Sequence, residues 1–254
     1  MKRLVINADD FGLTKGVTAG IVETMLRGAV TSTTAMACKA GSLDNVREWA
    51  GQIKGRIGVH LQLTDGLPCS ESTTIPSLVT ESGLFPRSRR DLRALNTDEV
   101  RLEWRAQIER IIQAGITPTH IDSHHHVHRY PAAFAAYCEI AAEHAIPARA
   151  ISAEMAQSLR ARGVRCADYC ETGWYGGELT PDSLIACLDK AFAALNNDDV
   201  TLELMCHPGF VDGELPGSSN YVAEREQELR TLCRPELAAR LRESGIKLIA
   251  MSDL

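Results

Sequence analysis

Short apolar runs alternate along the chain with longer stretches in which apolar residues recur at helical spacing. The short runs are rich in β-branched residues and indicate buried strands, whereas the longer stretches predict amphipathic helices. The predicted strands lie at 3–9, 30–37, 56–63, 117–124, 146–152, 200–208 and 246–251. The predicted helices lie at about 15–28, 42–54, 97–114, 131–144, 181–196 and 222–244, with a shorter one near 153–162. A break in the last long helix is expected near Pro235, because proline interrupts helices.

Strands that alternate with helices predict βαβ units and a parallel sheet. For 254 residues, one domain spanning 1–254 and built as a closed or nearly closed (β/α) barrel fits better than two small domains. A doubly wound open sheet is the alternative fold. Both folds place their active sites at the carboxyl ends of the strands, so residues that carry chemistry should lie there.

Residues 64–95 contain three prolines and two glycines and predict a long irregular loop. A loop of this length is unusual in a compact domain and is more often a lid or a binding loop.

The composition excludes several classes of function. The formal charge is −6, with acidic and basic residues mixed along the chain, so no basic face for nucleic acid is indicated. No apolar run approaches the roughly 20 residues of a membrane span. The first residues lack the apolar run of a signal peptide, and we expect a cytoplasmic protein. The eight cysteines form no CxxC pair and are expected to be reduced. A homodimer is the default expectation for such an enzyme.

Acidic residues and histidines cluster where the predicted strands end. The first strand ends in Asp9 and Asp10, the third carries His60, the fourth leads into His124, and His207 ends the strand before Pro208. One histidine at a strand end is more often a hydrogen-bonded core residue. Four separate strands that deliver Asp or His to the same edge favour a site for one metal ion.

The adjacent carboxylates of Asp9 and Asp10 support this interpretation. Neighbouring side chains on a strand face opposite sides, and only at the strand's end can both turn toward one centre. Two carboxylates this close repel each other unless a cation lies nearby or one is protonated. A helix-capping role is less suitable, because Asp10 lies four residues before the predicted cap Thr14.

The sequence HIDSHHHVH (120–128) offers more histidines than one ion can use. Strand alternation places His120, Asp122 and His124 on one face. One possibility is that His124 and His128 share an ion across a helical turn. The other is that His124 joins the distant His60 and Asp10, with Asp122 on the second nitrogen of a ligand imidazole. The remaining histidines of this run, among them His120, His125, His126 and His128, are then packing or surface residues.

His207 lies in MCHPG, where the following proline fixes the backbone. It can serve as a third imidazole ligand, as a general acid or as a simple loop residue, and a pKa near neutrality would suit proton donation. Glu203 in the same strand is expected to be inward or half-buried and to need a partner, for which Arg225 is the candidate.

Several stretches together closely resemble the YdjC-like carbohydrate deacetylases, and most strongly the chitooligosaccharide deacetylase branch. These stretches are NADDFGLTKG (7–16), VTSTTAM (30–36), GVHLQLT (58–64), THIDSHHHVH (119–128), WYGGELT (174–180) and ELMCHPGF (203–210). The regions 65–95 and 150–170 are less similar and are expected to shape the substrate pocket.

The resemblance implies a distorted TIM-type barrel with one divalent ion, zinc or magnesium. The family's metal ligands fall on Asp10, His60 and His124, and its catalytic base falls on Asp9. By analogy with other metal-dependent sugar deacetylases, His207 is the expected acid.

The implied reaction is hydrolysis of the acetamide of a small N-acetylated sugar, such as diacetylchitobiose, to acetate and a free amine. Trp174 and Tyr175 would offer sugar rings a stacking surface, and local packing within the loop is the alternative role for both. The alternatives are a metal-dependent amidohydrolase that acts on a non-sugar amide and a non-catalytic protein that binds metal or sugar.

Overall fold

The computed structural model describes residues 1–92, 94–197 and 199–254. The strands of this part of the chain are β1 (Lys2–Phe11), β2 (Ser32–Ala35), β3 (Ile57–Leu61), β4 (Ile121–Ser123), β5 (Tyr169–Glu171), β6 (Val200–Cys206) and β7 (Ile246–Leu248). The α-helices are α1 (Lys15–Arg27), α2 (Ser42–Ala50), α3 (Thr97–Gln113), α4 (Pro131–Glu143), α5 (Ala153–Arg160), α6 (Pro181–Leu195), α7 (Leu215–Ser218), α8 (Ala223–Leu232) and α9 (Pro235–Glu243).

The strands form one curled parallel sheet with the order β4-β3-β2-β1-β6-β5. β1 lies in the middle and pairs with β6 along most of its length. On its other side, its first residues pair with β7 and its last residues pair with β2. The predicted α/β barrel class is confirmed as a half-barrel of the distorted TIM type, with β1 buried at its centre.

The segment 147–150 lies between the two outer strands of this sheet. The backbone N–H of Arg149 donates to the carbonyl of Ile121 in β4 at 3.0 Å, and the N–H of Cys170 in β5 donates to the carbonyl of Ala150 at 2.8 Å. The prediction of a regular strand at 146–152 is wrong, because only an isolated bridge between Ile121 and Ala148 forms there. Pro147 has no N–H to donate to a ladder. The fifth strand lies instead at Tyr169–Glu171, where the sequence pattern gave no prediction.

Most helices begin and end at the predicted signals. Thr14 caps α1, with its hydroxyl oxygen 3.2 Å from the backbone nitrogen of Val17, and Gly28 follows the last turn. The break predicted near Pro235 is confirmed, since α8 ends at Leu232 and α9 begins at Pro235. Among the described helices, none is long and apolar enough to cross a membrane.

The loop predicted at 64–95 is irregular in its described residues, which contain only short 3-10 turns at Ser72–Thr74 and Arg89–Asp91. An ion pair between Lys39 and Asp65 (2.7 Å) joins the start of this loop to the segment that follows β2. Its role as a lid or binding loop stays a prediction.

Candidate metal and catalytic site

Five residues predicted from the sequence lie at the carboxyl edge of the sheet, at or just beyond the ends of four strands. Asp9 and Asp10 lie near the end of β1, and His60 lies near the end of β3. His124 directly follows β4, and His207 directly follows β6. Parallel strands end at a common edge, which is why residues so distant in sequence meet.

Asp10, His60 and His124 bring three ligand atoms together. Oδ1 of Asp10 lies 3.4 Å from Nε2 of His60 and 3.3 Å from Nδ1 of His124, and the two nitrogens are 3.2 Å apart. Atoms that share a small ion tetrahedrally, with bonds of roughly 2.0–2.1 Å, lie about 3.3 Å apart. Oδ1 of Asp10 is buried and has no hydrogen-bond partner. An orphaned carboxylate oxygen beside two imidazole nitrogens fits a divalent cation.

Asp10 is oriented by its backbone and by Arg225. Its φ angle of 70° lies in the left-handed region, which turns the side chain at the end of β1. Nη2 of Arg225 in α8 lies 2.6 Å from Oδ2, so one carboxylate oxygen is fixed and the other stays free. Burial raises the pKa of Asp10, but the Arg225 guanidinium and His124 outweigh it and hold the pKa well below its usual range.

His60 is oriented by a buried carboxylate. Its Nδ1 lies 2.6 Å from Oδ1 of Asp122, which leaves Nε2 directed toward Asp10 and His124. Metal-bound histidines commonly have this support on their second nitrogen. Burial lowers the pKa of His60, but the charge and hydrogen bond of Asp122 raise it to about 9. The predicted contact of Asp122 with a candidate ligand is thus present.

The Nδ1 atom and one ring face of His128 are engaged elsewhere, and its Nε2 is buried without a hydrogen-bond partner. Its Nδ1 lies 2.5 Å from the hydroxyl of Ser123, and the ring stacks on Tyr137 with 4.7 Å between centroids. Residues 124–129 form no regular helix, because His125 and His126 have φ angles of 55° and 53°. The structure therefore does not favour the alternative in which His124 and His128 share an ion.

The other histidines of the run have different surroundings. Nε2 of His120 lies 2.9 Å from Oδ1 of Asn7, below the site, and Nδ1 of His125 lies 3.0 Å from the hydroxyl of Thr64. The ring of His125 is also 3.9 Å from that of His124. His126 has a buried Nδ1 without a hydrogen-bond partner.

Asp9 is held by Arg149, which was not among the site residues predicted from the sequence. Nη1 and Nη2 of Arg149 each lie 2.7 Å from an oxygen of Asp9, and Asn7 donates to Oδ1 at 2.9 Å. Burial raises the pKa of Asp9, but the charge and hydrogen bonds of Arg149, together with His60 and His207, outweigh burial and hold the pKa well below its usual range, so the carboxylate is ionised. An oxygen of Asp9 lies within 4.8 Å of ligand atoms of His60 and Asp122, beside the Asp10 triad. A lone arginine in the apolar segment IPARAIS (146–152) was the available signal.

The predicted pairing of Glu203 with Arg225 is wrong. Glu203 accepts from Nε of Arg149 at 2.8 Å, whereas Arg225 binds Asp10. Glu203 is fully buried, and burial raises its pKa to about 7.

His207 has the buried surroundings of a site residue. Its backbone N–H donates to Glu228, and its Nδ1 is buried without a partner. The rings of Tyr175 and Tyr221 lie 5.3 and 5.7 Å from its own. The expectation of a pKa near neutrality is wrong, because burial outweighs the opposing charges of Asp10 and Asp9 and lowers the pKa to about 4.

The two aromatic residues considered for sugar stacking differ in exposure. Trp174 is buried and its Nε1 lies 3.2 Å from the hydroxyl of Ser183, which makes it a packing residue. Tyr175 is 50% exposed. Its ring stacks on Tyr221, with 4.2 Å between centroids, and lies nearly perpendicular to the ring of His207.

Comparison with known proteins gives full-length similarity. A family model described as YdjC-like protein matches residues 3–243. A carbohydrate deacetylase of Geobacillus stearothermophilus is 37% identical over 98% of this chain and 96% of its own. A chitooligosaccharide deacetylase of Yersinia enterocolitica is 35% identical over 99% of both chains.

A solved structure has the same fold throughout. The crystal structure of a protein from Enterococcus faecalis V583, provisionally described as a cellobiose-phosphate cleavage protein, superposes with a TM-score of 0.88. The two are 33% identical, and the match covers 99% of this chain and 98% of the other. The family resemblance predicted from the sequence is confirmed by these comparisons.

Proposed function

The chain belongs to the YdjC-like family, and on that premise we propose that it is a metal-dependent hydrolase of small N-acetylated sugars. Carbohydrate deacetylation is the activity for which its full-length relatives are named. We further propose chitooligosaccharides such as diacetylchitobiose as the substrate class, following the relatives of the chitooligosaccharide branch. A cytoplasmic location and a homodimer stay predictions.

The observation that carries the proposal is the triangle of ligand atoms from Asp10, His60 and His124, with edges of 3.2–3.4 Å. We assign these residues as the ligands of one divalent ion. Two imidazoles and one carboxylate suit zinc by ligand type, and magnesium is the alternative. The ion would polarise the acetyl carbonyl and lower the pKa of the attacking water, so that a weakly basic carboxylate can accept its proton.

Asp9 is the proposed base. Its pairing with Arg149 keeps the carboxylate of Asp9 ionised and fixes the direction of both oxygens. Asp9 is therefore in the protonation state and the orientation that a base requires. The same pairing makes it a weak base, since the pKa of the carboxyl is far below neutrality. Asp9 therefore suits a water that is already acidified and would activate free water poorly.

His207 is the proposed proton donor to the departing sugar amine. With a pKa of about 4, the imidazolium of His207 is much more acidic than a protonated amine. Proton transfer from His207 to the amine is therefore favourable in free energy. Only a small fraction of His207 carries that proton at neutral pH in the free protein. The proton gained by Asp9 and the one lost by His207 balance in each turnover, and exchange with solvent restores both residues.

Tyr175 is the proposed stacking surface for a sugar ring. The proposal is supported by the half-exposed side chain of Tyr175, by its stacking on Tyr221 and by its position beside His207. Sugar rings pack their C–H faces against such aromatic surfaces.

Acetate release from N,N'-diacetylchitobiose by the purified protein tests this proposal, with chelator and with added zinc or magnesium. We expect release that chelator abolishes and one of the two metals restores. The variant Asp9→Asn should lose turnover by orders of magnitude and keep its metal, whereas His124→Ala should lose both. The exposed Asp44→Asn is the matched control and should behave like the wild type.

Release that persists without metal would refute the metal role. Absence of release with any metal, together with cleavage of a non-sugar amide, would favour the amidohydrolase alternative. If the protein binds the sugar without releasing acetate, and Asp9→Asn binds the sugar equally well, the protein is a non-catalytic binding protein.

A further inference from the structure

Two cysteines from different loops face each other at the carboxyl edge of the sheet, apart from the site described above. Cys38 lies three residues after β2, and Cys69 lies in the loop 64–95. Their sulfur atoms are 3.8 Å apart, with Cys38 buried and Cys69 partly exposed. We propose that this pair is an oxidation site, in which peroxide oxidises Cys69 and Cys38 then closes a disulfide.

The surroundings of the two sulfurs differ in the way such a reaction needs. Nη1 of Arg110 lies 3.8 Å from Sγ of Cys69 and stabilises negative charge there. The Cys38 thiol, as hydrogen-bond partner, lowers the pKa of Cys69 most, and Arg110 lowers it further against burial and the Glu103 carboxylate, whereas burial raises the pKa of Cys38. The thiolate is the reactive form of cysteine, so the accessible sulfur is the one prepared to react first.

Glu103 adjoins the pair, but its contacts argue against a metal site. Oε1 of Glu103 accepts from the backbone of Cys69 at 2.9 Å and from Gln107 at 2.7 Å, and Oε2 accepts from the backbone of Ser70 at 2.8 Å. Both oxygens are thus engaged by N–H donors. The Arg110 guanidinium would also repel a cation at Cys69.

The backbone segments that carry the two cysteines are already hydrogen-bonded to each other. The N–H of Leu67 donates to the carbonyl of Cys38 at 2.9 Å, and the N–H of Cys38 donates to the side chain of Gln62 at 3.1 Å. A disulfide requires the sulfurs to approach to about 2.05 Å, a closure of less than 2 Å. Side-chain rotation with a small loop adjustment can supply it.

The chemistry balances with a peroxide as the oxidant. The Cys69 thiolate attacks one oxygen of hydrogen peroxide, which gives a sulfenic acid and hydroxide. The Cys38 sulfur then attacks the sulfenic sulfur, the S–O bond breaks, and its oxygen leaves as water with the thiol proton. A thiol reductant reverses the disulfide by exchange.

The new bond would tie the loop 64–95 to the segment that follows β2. The same loop reaches the histidine run, where the hydroxyl of Thr64 and a guanidinium nitrogen of Arg89 contact His125. Oxidation would therefore restrict a loop that borders the metal and catalytic site.

The first test is peptide mapping of the full-length protein without reductant after treatment with hydrogen peroxide. We expect a Cys38–Cys69 crosslink and a melting temperature about 5–10 °C higher, reversed by dithiothreitol. Both effects should be absent in Cys69→Ser and Cys38→Ala. Cys69 is partly exposed, so its variant is expected to fold even if the buried Cys38→Ala does not.

Alkylation of the reduced protein supplies an independent measurement. Cys69 should react with iodoacetamide at pH 7.5 about tenfold faster than Cys187, a partly exposed thiol whose pKa is raised to about 11. Equal alkylation rates, a peroxide product without the crosslink, or an additional zinc equivalent that is lost in Cys69→Ser would each overturn the proposal.

Discussion

Arg149 binds Asp9 through both carboxylate oxygens at 2.7 Å while its Nε lies 2.8 Å from Glu203. All three side chains are buried. The fork of the guanidinium fixes the plane of the Asp9 carboxylate, which a single point charge would leave free to rotate. The proposed base is thereby held in one orientation by a residue that itself takes no part in proton transfer.

Replacing Arg149 with lysine should keep the charge and lose this orientation. We expect kcat to fall about 10–100-fold, with metal content unchanged, because a misplaced catalytic group costs this much. Kinetics and metal analysis of the purified variant measure both effects. Arg160→Lys, at the partly exposed pair with Asp168, is the matched control and should leave kcat unaffected. Wild-type kcat in Arg149→Lys would contradict the positioning role.

The Asp122→Asn variant should weaken metal binding. Asp122 holds Nδ1 of His60, and loss of such a supporting carboxylate typically costs about 10–100-fold in metal affinity. Isothermal titration calorimetry of the metal-free protein with zinc or magnesium gives the dissociation constant of the metal. Asp168→Asn, which lies outside the site, should match the wild type. An unchanged constant in Asp122→Asn would remove His60 from the proposed ligands.

The Tyr175→Ala variant should raise KM for diacetylchitobiose about 3–10-fold and change kcat less than twofold. The reason is that stacking on one ring contributes about 1 kcal/mol to binding. Tyr175→Phe retains the ring and should remain near wild type in steady-state kinetics. If Tyr175→Phe loses as much as Tyr175→Ala, the hydroxyl rather than the ring face is the group that matters.

The Glu228→Gln variant should change how stability depends on pH. Burial raises the pKa of Glu228 to about 7 from 4.5, so the folded state binds this proton more tightly than the unfolded state. The wild type therefore loses stability as pH rises from about 4.5 to about 7, by on the order of 3 kcal/mol from this residue. A glutamine cannot ionise, so the variant should lose less over that range.

Urea unfolding at pH 5 and pH 8 measures this difference for both proteins. The midpoint of Glu228→Gln should fall less between the two values than that of the wild type. Parallel changes in the two proteins would show that Glu228 does not titrate in this range.

Where periodicity and turn signals agree, the sequence predicted the fold closely. The helix beginning at Thr97 and the break at Pro235 follow from local capping and from proline, which act within one turn. The strand Tyr169–Glu171 has only three residues and is not long enough to establish a period. The segment around Ala148 has strand-like composition, yet what decides its pairing is the tertiary contact with Ile121.

The candidate metal ligands could be selected because parallel strands bring their ends together, and the family resemblance chose among the histidines. The residues that form hydrogen bonds and ion pairs around the site could not be predicted in the same way. Arg149 and Glu203 lie 54 positions apart, and their contact depends on the curl of the sheet rather than on any local pattern. The pKa of His207 was also beyond sequence reasoning, because it depends on burial.

The left-handed backbone at Asp10 limits which residues this position tolerates. At a φ of 70°, asparagine and aspartate are accommodated far more readily than most side chains, and a left-handed residue with an ordinary Cβ costs roughly 1 kcal/mol or more. Asp10→Asn thus removes the charge without adding strain to the backbone at this position. Asp10→Ala or Asp10→Glu would mix a chemical change with a conformational one, so asparagine is the substitution that isolates the chemistry at this position.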